Sequence, residues 1–161
     1  MRGSRLWALA GLVCASTSLT ACAPDLRVQA EQALQQRISE IAEDAAELHA
    51  LNADDALAAV RSGTIDGLDV AVEDGFPSKT EGPGHGVYAG LYDAGTRSGT
   101  VRLSVALGVQ RVTSGFAGEK YEWLYTCVVF TPSEQPSRVG CPPDVEEGPF
   151  RDSRWSEAQV P

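Results

Sequence analysis

General acid or base work near neutral pH is done most readily by histidine, or by a lysine or carboxylate whose pKa has been moved by its surroundings. This chain offers little of either: His49, His85, Lys79 and Lys120, with both lysines in glycine-containing loop sequence. His49 follows Leu48 at the edge of an apolar helical seam and reads as a surface histidine. His85 is the better candidate, because Gly82-Pro83-Gly84-His85-Gly86 places an imidazole in backbone free enough to approach a ligand, with Tyr88 and Tyr92 close behind. His85, Tyr88 and Tyr92 are therefore the candidate ligand site, although no nucleophile or carboxylate partner for His85 can be identified.

Other constellations argue mainly by their absence. The Gly-x-Ser-x-Gly elbow of a serine hydrolase does not occur. Asp66, Asp69, Glu73 and Asp74 lack the spacing of a calcium loop and read as a solvated turn. No glycine-rich segment opens a helix after a strand, as phosphate cradling would require. No catalytic residue, metal ligand or cofactor is assigned. Tyr121, Trp123 and Tyr125 alternate on one strand face, where aromatic residues serve as core or as a platform for a sugar or peptide.

The four cysteines carry more information. Residues 1–21 have a basic start (Arg2, Arg5), an apolar run from Leu6 to Ala15 and a small-residue exit. The run is too short for a spanning helix, which needs about 20 apolar residues. It ends in Leu19-Thr20-Ala21-Cys22. This stretch resembles the signal-peptide box of bacterial lipoproteins: an aliphatic residue, two small or uncharged ones, then cysteine. The resemblance implies cleavage after Ala21 and diacylglycerol on the Cys22 thiol, leaving the domain lipid-anchored on the extracytoplasmic side of the cell membrane. Two or more acyl chains hold a protein stably where one does not. Cys14, inside the run, would be discarded with the signal.

Cys127 and Cys141 then remain as an even pair in an oxidising compartment, without the Cys-x-x-Cys spacing of a redox centre. A hairpin centred on Glu134 sets Thr131 opposite Ser137, Val129 opposite Val139 and Cys127 opposite Cys141, so this register predicts a disulfide.

The chain carries a formal charge of −9, which becomes −11 if Arg2 and Arg5 are removed. Such a balance speaks against nucleic acid and anionic headgroups as partners. The length suits one domain.

From Asp25 to Leu51 the residues are nearly all helix formers, and Leu34, Ile38, Ile41, Ala45 and Leu48 form one apolar seam. Asp25 is the predicted N-cap, and the first turns, within 22–33, are expected to act as a stalk. A second, shorter helix starts at Asn52 and stops before Gly63. Thereafter the period becomes two. Leu68 to Val72 and Val87 to Tyr92 read as short strands; Thr100 to Val112 has Val101, Leu103, Val105, Leu107 and Val109 on a dry face, and Arg102, Ser104, Ala106, Gly108 and Gln110 on a wetter one. Tyr121 to Thr131 is expected to be central. Residues 144–161 read as an acidic, proline-containing tail that folds back to lay Phe150 or Trp155 on a sheet edge.

The expected architecture is α+β in two layers: a long and a short helix over a mostly antiparallel meander of about five strands, with the domain spanning 34–143. It resembles, at the level of fold, the helix-and-curved-sheet domains of the cystatin and nuclear-transport-factor types. The Cys, strand and Cys-Pro arrangement is similar to small exported domains of lipoproteins from high-GC Gram-positive bacteria. The expected function is a non-enzymatic envelope module, binding a partner protein or wall component through the open sheet face around Arg102 or through Tyr88 and Tyr92. The alternative is an extracytoplasmic enzyme with a site around His85.

Overall fold

The computed structural model describes residues 25–48, 51–70, 87–116, 118–132, 134–146 and 154–160. The signal region with Cys22, and both His49 and His85, lie outside these residues.

Helix α1 (Leu26–Glu47) starts where a side chain can take over an orphaned backbone donor: the Asp25 carboxylate accepts from the Arg27 amide at 3.1 Å. Its buried residues are Ala30, Leu34, Ile38, Ile41 and Ala45, followed by Leu48. The predicted seam is present and begins a turn early. Ala30 is 0% exposed, so residues 26–33 pack on the domain instead of forming a stalk. A methyl group gives little periodic signal, yet it lets the helix approach closely.

Helix α2 (Ala53–Arg61) is capped at both ends as its sequence requires. Asn52 accepts from the Asp55 amide at 3.0 Å. At the other end Gly63, at φ +80°, lets its own amide reach the Val60 carbonyl and the Thr64 amide reach that of Ala59. The chain then turns into β1 (Asp69–Val70), part of the strand expected over 68–72, of which residues 71–72 lie outside the described set. At this turn the Arg37 guanidinium donates to the Asp66 carbonyl. Gly67 takes φ +60° there, and a Cβ on it would stand 2.9 Å from Arg37 Nη2. The left-handed backbone at Gly67 favours glycine, and the Arg37 fork would have to shift for any side chain there.

The sheet has six strands in the order β1-β2-β3-β4-β5, with β6 beside β4. Strands β2 (Val87–Arg97), β3 (Thr100–Gly115), β4 (Gly118–Phe130) and β5 (Ser137–Val139) form the antiparallel meander. Strands β1 and β6 (Ser156–Glu157) join in parallel, the latter against β4. The fold is thus α+β, and β4 is an internal strand.

Register divides the sheet into two unlike faces. Val101, Leu103, Val105, Leu107 and Val109 of β3 share the first face with Leu124, Thr126, Val128 and Phe130 of β4, and all of them are buried. The two helices cover this face to form the main core. Thr126 is the polar exception, and its hydroxyl meets no partner among the described residues.

The second face is drier than expected. Ala106 is 0% exposed and Ser104 4%, because the C-terminal segment returns across them. Helix α3 (Pro143–Glu146) brings Val145 onto Ala106 and Cys127, with Tyr88, Tyr92, Tyr125 and Trp155 around them. Beyond β6, Ala158 and Val160 enter the main core. Residues 144–161 therefore supply core side chains, and the domain does not end at 143. Polar sequence hides these few apolar contacts. Phe150 lies outside the described residues.

The disulfide Cys127–Cys141 is present, with Cα atoms 5.2 Å apart. The register around it is corrected. Val129 pairs with Ser137 and Cys127 with Val139, two residues from the expected alignment. The chain leaves the ladder at Gly140 and turns Cys141 back towards Cys127. A slip of two keeps every side chain on its face, so the bridge survives the shift.

Candidate functional site

Side chains not consumed by the main core gather on the second face, and β2 explains how. A register shift between Leu91 and Asp93 makes Tyr92 the extra residue of a β-bulge. Tyr88 and Tyr92 thereby join one small cluster with Tyr125. One glycine separates two of these rings across the ladder: Tyr88 pairs with Gly108, which pairs with Tyr125. Of the candidate ligand site, the structure brings Tyr88 and Tyr92 together.

Burial raises the pKa of the Tyr92 hydroxyl, against the opposing effects of a hydrogen bond with Ser104 and of the Arg102 charge. Tyr125 is raised by burial first, then by Glu146 and Glu157. Each phenol is held in its neutral form, suited to hydrogen bonding rather than to general base work.

The aromatic row of β4 is only partly open. Tyr121 is exposed, and its hydroxyl donates to Glu119. Trp123 is packed edge-to-face against Trp155 at 5.1 Å between centroids, with Arg154 4.8 Å over its ring. The chain's own C-terminal segment thus occupies much of the platform. It is pinned there by Ala158 N–H to the Tyr125 carbonyl at 2.7 Å and by Arg138, which pairs with Glu157 at 2.6 Å.

What remains open among the described residues is the end of the face at the β2–β3 turn. Ser98 (φ 53°) and Gly99 (φ 80°) form a two-residue turn with both central residues left-handed. It sets Arg97 opposite Thr100 and Gly95 opposite Arg102. Across β3, Ser104 pairs with Val129 and Val129 with Ser137, so Arg102, Val129 and Ser137 share the face. These residues, with Thr131 and Glu134, line a cavity of about 420 Å³.

Arg102 was legible as a second-face residue, whereas Arg97 was not assigned a site. The signal lay in Ser98-Gly99: a two-residue turn there fixes a register that puts Arg97 on the same face as Arg102. Among the described residues there is no group of three or more His, Cys, Asp or Glu able to hold a metal, and no helix is long and apolar enough to cross a membrane. Comparison with family models, curated proteins and solved structures finds no match for the chain.

Proposed function

We propose that this chain is an exported domain, lipid-anchored through Cys22 on the extracytoplasmic side of the cell membrane, and that it serves there as a non-enzymatic binding module for an envelope protein or wall component. The observation that carries the export reading is the Cys127–Cys141 disulfide, since such bridges persist where the environment is oxidising. Leu19-Thr20-Ala21-Cys22 supplies the matching anchor sequence. The binding reading rests on the second face, where Tyr92 lies near enough to feel the charge of Arg102, one of the residues lining the sheet end that stays open among the described residues.

The geometry suits a tether at the N-terminus. Arg27 reaches Glu122 at 3.4 Å, so the start of α1 lies at the β3–β4 end of the sheet. Farther along α1, Gln35 and Ile38 share a cleft with Gln135 and Pro136, near the opposite end. The open cavity belongs to that far end and would face away from the membrane.

Fractionation with intact-mass analysis tests the anchor. The membrane fraction should yield a peptide beginning at Cys22 with added acyl mass, and Cys22→Ser should release the protein or leave the precursor uncut. A wild-type peptide without acyl mass rejects the proposal.

A further inference from the structure

We infer that the cavity at the β2–β3 turn is a binding site for a small soluble oxyanion, a phosphate or carboxylate group, gripped by Arg102 and Arg97. The inference concerns the folded domain and stands whether or not Cys22 is lipidated.

Its first support is a contrast among arginines. In a chain where acidic residues outnumber basic ones 22 to 13, Arg27, Arg37 and Arg138 each pair with a carboxylate. Arg97 and Arg102 make no ion pair or side-chain hydrogen bond among the described residues, although both line the same cavity. Arg102 is the more telling of the two. Its Nε–H is buried with no acceptor among the described residues, a state proteins ordinarily avoid, and a small turn of the guanidinium would offer it to an oxyanion in the cavity.

The surroundings complete a binding surface instead of closing it. The hydroxyls of Thr100, Thr131 and Ser137 add neutral donors to the planar forks of the guanidinium groups, which suit two-point recognition of phosphate and carboxylate oxygens. Gly95 stands opposite Arg102 and has no side chain to cover it; even an added Cβ would touch nothing within 4 Å. The cavity size falls within the range of small-molecule sites. Among the described residues Glu134 is the one carboxylate in the lining, and it is exposed, where water screens its repulsion. The disulfide holds β5, and with it Ser137, against β4.

The test is an NMR titration of the isotopically labelled protein, following arginine Nε–H signals as inorganic phosphate, and separately acetate, is added at constant ionic strength with chloride as the control. The Arg102 signal should move saturably with phosphate or acetate and not with chloride. Arg102→Gln should weaken binding about tenfold or more with the amide spectrum otherwise preserved. Arg97→Gln should weaken it less, and Glu134→Gln should tighten it severalfold. If Arg102→Gln does not fold, the exposed-site variants Arg97→Gln and Glu134→Gln decide the matter by their opposite signs. Shifts that fail to saturate, or that match those of chloride, overturn the inference. So does saturable binding of equal strength in the wild type and the Arg97 and Glu134 variants.

Discussion

The two faces of the sheet solve the same burial problem by different means. On the first, long runs of aliphatic side chains meet two helices, and the area removed from water does the stabilising. The second has few aliphatic residues; it is closed by a disulfide, a T-shaped tryptophan pair and a returning C-terminal segment, and one end stays open. Stability is concentrated on one face, which leaves arginines and hydroxyls free to stand on the other.

The sharpest way to break this comparison is to cut a hole in the first face. Leu103 is 0% exposed, and Leu103→Ala should cost about 2–5 kcal/mol in chemical denaturation, as large-to-small core changes do. A loss no larger than that of an ordinary surface substitution would mean that the helix-covered face is not the main store of stability.

Removing the bridge tests the second face. Replacing Cys127 and Cys141 by serine should cost about 3 kcal/mol, the chain-entropy value for a loop of this length. It should also loosen β5 more than β2, which hydrogen exchange can read strand by strand. Equal loosening of both would deny the bridge its local role.

The smallest effect concerns pH. Tyr92 and Tyr125 have folded-state pKa values raised chiefly by burial, so the fold favours their neutral forms. Their contribution is full below the unfolded tyrosine value near 10 and is lost as pH rises through the higher folded values. Phenolate absorbance should accordingly appear later in the folded protein than in the denatured chain. Replacing both residues by Phe should shorten the delay, leaving the part due to Tyr121, which its hydrogen bond with Glu119 also raises.

Features resting on long periodic patterns were readable in the sequence. The seam from Leu34 to Leu48 and the alternation from Val101 to Val109 repeat often enough to fix helix, strand and face. Features resting on a few residues were not. The hairpin register moved by two because the loop between Phe130 and Ser137 is longer than the prolines at 132 and 136 suggest. The fold-back of the tail was readable, and Trp155 does lie on Trp123, but its share of the core was not, because Val145, Ala158 and Val160 are isolated apolar residues in polar sequence, recognisable as core only once β4 presents an edge for them. Of the candidate ligand residues, Tyr88 and Tyr92 were found through their alternation. Arg97 depended on a turn whose register was not drawn.

The return of the C-terminal segment also bears on how the protein behaves among copies of itself. Bare strand edges are templates for joining sheets between molecules. Along β4 part of that edge is taken by β5, at residues 127–129, and by β6, at residues 124–125, strands three and two residues long. On the far side, β2 is interrupted by the Tyr92 bulge and met at Gly90 and Leu91 by the described residues of β1, Asp69 and Val70. Over residues 124–129 of β4, crowded copies would find only these short strands to extend, so the same elements that close the second face also discourage growth from one molecule into the next along that stretch.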